Sequence, residues 1–114
     1  MGLQLRSPSN QIRGLQFAAT GATVAKVPHV HNARVFIPMN SADAAASNEH
    51  IYDSEVSGAP KATGEAWTVG QAVYWDNTNK RFTTTASGNT ACGFALAPAL
   101  AGDTVTPLFL FKSF

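Results

Sequence analysis

Four consecutive turn formers, Asp76-Asn77-Thr78-Asn79, stand between two segments with the period of a pleated ribbon, which commits the middle of the chain to a β-hairpin. Ahead of the turn, Val73 and Trp75 fall on one face of a strand and Ala72 and Tyr74 on the other. Behind it, residues 82–85 form a β-branched and aromatic run that Ser87-Gly88-Asn89 breaks. Thr63-Gly64 and Gly70 punctuate an earlier short segment carrying Trp67 and Val69. A further apolar alternation, Cys92, Phe94 and Leu96, follows. The expected core of this region is Val73, Trp75, Phe82, Phe94 and Leu96.

The rest of the chain repeats the scheme of short strands between breaks. Leu15 and Phe17 begin a strand that Thr20-Gly21 ends, and residues 22–27 alternate up to Pro28. Residues 30–37 form one strand candidate, with Val35 and Ile37 opposing Arg34 and Phe36, and Pro38 closes it because proline has no amide to donate. Residues 41–48 are alanine-rich but too few for an isolated helix, so they read as a loop with at most one turn. Residues 49–56 are the next strand, with Ile51, Asp53 and Glu55 opposing Tyr52 and Val56. In the last strand Val105, Pro107, Phe109 and Phe111 share one face and Leu108 and Leu110 the other. Breaks every 8–12 residues without βα alternation predict an all-β fold, a small single-domain β-barrel or β-sandwich. Residues 1–13, lacking periodicity, read as an extended N-terminal arm, and residues 14–114 as a single β domain.

Both faces of the last strand are apolar, yet the core of so small a domain occupies only one. The other calls for cover from a second subunit. Leu108, Leu110 and Phe114 are therefore expected at an oligomer or partner interface, together with Leu3 and Leu5 of an arm that makes few contacts with its own domain and lies on a neighbour.

Composition narrows the function. Charged residues make up 13% of 114, about half the ~25% of ordinary soluble domains, which suits a subunit packed into an assembly. The net charge is +1 and only Lys80-Arg81 are adjacent, so no converging cationic face is expected for nucleic acid. No apolar run reaches 18 residues, so no membrane helix is expected, and the first residues lack the apolar stretch of a signal peptide. Cys92 is the single cysteine; its place in an apolar strand marks it as a small buried hydrophobe.

His29 and His31 would share one face of a strand, as metal ligands can, and His50 and Asp53 would complete a site if folding gathered them. There is no second spaced pair, so hydrogen-bonded or solvated histidines are the plainer reading. Asp43, Glu49, Asp53, Glu55 and Glu65 offer carboxylates, none in a recognisable acid–base motif. No G-x-S-x-G elbow is present, and Cys92 has no cationic neighbours to activate it. Trp67, Tyr74, Trp75 and Phe82, with Asn77, Asn79, Lys80 and Arg81 nearby, would make a stacking platform if exposed. Two alternatives to a purely structural protein follow: a carbohydrate-binding β module, and a small metal-dependent hydrolase using His29, His31 and Asp53.

The stretch PKATGEAWTVG, with VYWD, TNK, TTTASGNT and the glycine after it, resembles the signature of small tailed-phage capsid decoration (cement) proteins. The resemblance is dense over residues 60–93 and looser through the Ala/Gly-rich segment to Val105; residues 35–46 echo it upstream. The chain departs at its end, LFLFKSF, where such proteins carry a short polar strand with a basic residue. Sequences of this kind are often mislabelled as RecA/RadA-type phage recombinases. Strand exchange needs a G-x-x-x-x-G-K-S/T phosphate loop, and the chain has none. The resemblance implies a structural protein, not an enzyme, that binds the outer surface of the phage head and stabilises it. It implies the major capsid protein as partner and no cofactor. It also implies a homo-oligomer, a trimer before a dimer, on the virion exterior after assembly in the host cytoplasm.

Overall fold

A computed structural model describes residues 3–7 and 11–114. Among the described residues nine strands follow in order: β1 Gln4–Leu5, β2 Arg13–Ala18, β3 His29–His31, β4 Arg34–Pro38, β5 Ser47–Ser57, β6 Ala72–Asp76, β7 Arg81–Thr83, β8 Thr90–Ala95 and β9 Phe109–Lys112. They form a sheet ordered β3-β4-β5-β9-β8-β6-β7, with β1 and β2 also on β5, curled into a half-barrel. The all-β expectation holds.

The hairpin of residues 72–83 forms as expected. Trp75 pairs with Phe82, and the Asp76 carboxylate accepts from the Thr78 and Asn79 amides, each at 3.1 Å. The strand that gathers the sheet is nevertheless β5. Its first half pairs with β2 and β4, its second with β1 and β9. A bulge divides the halves: Arg13 faces Asp53 and Gly14 faces Ile51, which leaves Tyr52 over. One extra residue shifts the period of 2. Ile51 and Val56, expected on opposite faces, therefore both join the core.

A second bulge corrects the expected core. Val73 faces Gly93 and Tyr74 faces Ala91, so Cys92 is the extra residue of β8. Cys92 and Ala95 turn inward, Phe94 turns out at 39% exposure, and Leu96 is only half-buried. Gly93 has φ 142°, and a Cβ there would overlap the Leu110 carbonyl oxygen of β9. Only glycine lets β8 and β9 approach this closely.

Val73, Trp75 and Phe82 are enclosed as expected, each at most 1% exposed. The ring centroids of Trp75 and Phe82 are 4.8 Å apart, as are those of Phe82 and Phe109. Trp67 meets Phe109 edge-on at 6.0 Å, brought there by paired backbone bonds of 3.0 Å with Ala99.

Three further readings change. Residues 22–27 form no strand and contribute one isolated bridge, Thr23 to Ala42. Residues 29–38 form a hairpin rather than one strand, turned by Asn32 and Ala33 at φ 50° and 64°. Two positive φ values mark the primed turn that matches strand twist. The arm, too, lies on its own domain. β1 pairs with Val56 and Ser57, the Arg6 amide donates to the Glu55 carbonyl at 2.6 Å, and Leu3 packs in the core at 6% exposure. Met1, Gly2 and residues 8–10, also assigned to the arm, lie outside the described residues.

Candidate functional site

The register of four strands sets one row of side chains across the sheet. Ala72 pairs with Phe94, Phe94 with Leu110, and Leu110 with Glu55. Inward neighbours on the same strands, Val73, Ala95, Phe109, Phe111 and Val56, are fully buried, so the row lies on the outer face. Leu96 and Leu108 extend it, joined by an amide-to-carbonyl bond of 3.0 Å. Phe94 is exposed, Leu96, Leu108 and Leu110 are half-buried, and Phe114 is 57% exposed. Beyond β9 the surface becomes charged, with Asp53 opposite Lys112. The result is an apolar stripe with ionic side chains along its β5 edge. Val105, expected on the buried face of the last strand, is instead 39% exposed, because regular pairing begins only at Phe109.

Of the interface residues expected from sequence, Leu110 and Leu108 lie on this stripe and Phe114 follows the end of β9. Leu3 is enclosed by its own chain, and Leu5 is partly buried against the same core.

The aromatic platform does not form. Trp67, Trp75 and Phe82 are at most 1% exposed, which leaves only Tyr74 half-accessible. The polar residues around them are engaged in the turn: Trp75 Nε1 donates to Asn77 Oδ1 at 3.1 Å, Lys80 Nζ to the same oxygen at 3.0 Å, and Asn79 Nδ2 to Asp76 Oδ2 at 2.8 Å. Those aromatic rings are core, and the carbohydrate alternative loses its surface.

The histidines do meet, around two phenylalanines. Phe17 stacks on His50 with centroids 3.8 Å apart and on His31 at 4.4 Å, and His29 meets His50 edge-on at 4.9 Å. Phe36 closes the cluster 5.0 Å from Phe17. Asp53 is elsewhere, in the ladder between Arg13 and Lys112. Among the described residues no three His, Cys, Asp or Glu side chains are arranged to hold a metal. Sequence pairing pointed to His29 and His31, but nothing local linked them to Phe17, thirty-three residues before His50. Beside the cluster, Leu15, Arg34, Phe36, Tyr52 and Ser113 line an open groove of about 380 Å³.

Two further reactive groups are engaged within the fold. Cys92 is buried, which pushes its thiol pKa up, and its sulfur donates to the Val73 carbonyl at 3.6 Å. Burial would raise the Glu65 pKa, but bonds from the Thr83 hydroxyl at 2.6 Å, the Thr84 amide at 2.8 Å and the Thr85 hydroxyl at 3.0 Å outweigh it and hold the carboxyl below its usual value. This is a carboxylate tying a loop to β7, with no second acid beside it.

No helix among the described residues is long and apolar enough to cross a membrane. No curated protein and no solved structure matches the chain. A family model described as phage cement protein matches residues 10–110. That match starts ahead of β2 and runs into β9, so it takes in both bulges and the outer stripe, and the chain belongs to the phage cement proteins, a family of structural components of the phage capsid.

Proposed function

We propose that the protein binds the outer surface of the assembled phage head and reinforces it, with the β8–β9 stripe as its adhesive face. The observation that carries this reading is the row Phe94–Leu110, with Leu96 and Leu108 beside it, left partly exposed on the outer face of a domain whose core is already filled. Cementing requires no reaction: each copy bridges neighbouring capsid subunits, and many weak contacts add through multivalency. Burying two such side chains contributes about 3–6 kcal/mol of transfer free energy before association costs. The protein acts as a homo-oligomer, with a trimer favoured because threefold positions recur on an icosahedral shell. It joins the head on its exterior, during assembly in the host cytoplasm.

The test is capture on assembled heads against capture on unassembled capsid subunits. Retention by heads alone, with a raised rupture temperature of the decorated shell, is the expected outcome. Equal retention by dispersed subunits, or unchanged rupture, contradicts it.

A further inference from the structure

β2 and β3 lie on opposite sides of the β5–β4 pair and share no ladder. What joins them across that curl is ring packing, Phe17 of β2 resting on His31 and on His50, with His29 at 6.5 Å. Beneath them, His50 is fully buried with Nδ1 2.9 Å from the Asn48 carbonyl. Only a donor satisfies a carbonyl, so Nδ1 carries the proton of the neutral ring and Nε2 its lone pair. That Nε2 is buried without a hydrogen-bond partner among the described residues, and so is the Nε2 of His29. A neutral cluster tolerates this. A protonated ring would hold a buried N–H⁺ with no acceptor.

The neighbours offer no relief. His50 and His31 face His29 from β5 and β3, and Lys80 acts on it from the β6–β7 turn. Arg34 stands opposite His31 in the β3–β4 ladder. Glu49 is on the alternate, exposed face of β5, and no carboxylate is among the groups acting on His29 or His50. Each added proton therefore arrives beside existing or incipient positive charge.

We propose that His29 and His50, packed with His31 around Phe17, are a proton-operated catch: neutral, they hold β2 against β3 through Phe17, and protonated, they open that seam and the groove beside it while the β5–β9–β8–β6 core stays folded. Burial, then His50, His31 and Lys80, lower the His29 pKa to about 4 against a raising bond from Val30. Burial likewise lowers that of His50, a bond to Asn48 opposing and His31 assisting. A group lowered in the closed state takes up a proton on opening, so closure is fully favoured above the free value of 6.5 and weakens as the pH falls toward about 4. For His29 alone the closed-to-open ratio drops roughly 80-fold between pH 6.5 and pH 4.

Amide hydrogen exchange on the full chain at pH 7 and pH 4.5, corrected to protection factors, tests the catch. Protection of residues 15–17 and 29–31 should fall at least about tenfold, while residues 73–75 and 109–111 keep theirs. Unchanged protection, or a uniform loss across all four segments, overturns the proposal. The double variant His29→Phe/His50→Phe should abolish the loss, and persistence of the loss in a folded double variant assigns it to other groups. Should that variant not fold, imidazole proton resonances of the unmodified chain decide: titration of His29 and His50 together with the fall in protection supports the catch, and titration near 6.5 without that fall contradicts it.

Discussion

Phe94 and Leu110 stand directly opposite each other across the β8–β9 ladder, both on the side of the sheet turned away from the core. Their inward neighbours Ala95 and Phe109 are fully enclosed, while the outer pair keeps part of its apolar surface exposed. Velocity sedimentation should show a closed oligomer at micromolar concentration, and Leu110→Asp should shift it toward monomer without changing the far-ultraviolet spectrum. A monomer before substitution would refute self-association through this face.

Leu3 is in the core, and β1 covers the edge of β5 at Val56. Leu3→Ala should therefore destabilise the isolated protein by about 2–3 kcal/mol, the lower part of the range for buried leucines. Chemical denaturation measures it. An unchanged midpoint would mean that the arm lies off the domain, as its sequence suggested.

Gly93→Ala should be among the most damaging single-methyl additions. The backbone at φ 142° disfavours any side chain, and the new methyl would meet the Leu110 carbonyl of the neighbouring strand. A loss of at least ~2 kcal/mol is expected from strain and overpacking together. Gly102→Ala, where nothing lies within 4 Å, is the control and should change little.

Glu65 gives a second acid transition below that of the histidines. Its folded pKa is held under the ordinary 4.5, so its contribution is complete above that value and disappears as the pH falls through the folded pKa. Glu65→Gln should cost about 1–2 kcal/mol at pH 7 through lost charge-assisted bonds. It should flatten stability against pH below 4.5 and leave the decline between 6.5 and 4.5 intact. A variant that removed the upper decline would contradict this division.

The readable parts of the sequence were those whose cause is local. Asp76 to Asn79 encode their turn in side chains that bond their own backbone, and the hairpin with Val73, Trp75 and Phe82 inside followed. Both misplaced faces trace to bulges, at Tyr52 and at Cys92, where one unpaired residue reverses the alternation and no residue type announces it. The Asn32-Ala33 turn lacks the glycine that usually marks a two-residue hairpin, so β3 and β4 read as one strand. The role of β5 was hidden because its four partners come from residues 4 to 112, and pairing over such separations leaves no local pattern. Of the interface, the two-sided apolarity of residues 108–111 was visible, while Phe94 emerged only with the register of β8.

In the proposed function the outer stripe holds the protein on the phage head. Co-sedimentation of assembled heads with the unmodified chain and with Leu108→Asp/Leu110→Asp measures it directly, once the double variant is shown to keep its β-sheet spectrum and cooperative melting. Heads should carry the unmodified protein to the pellet and leave the folded variant in the supernatant. A folded variant that pellets with heads as fully as the unmodified chain would contradict it.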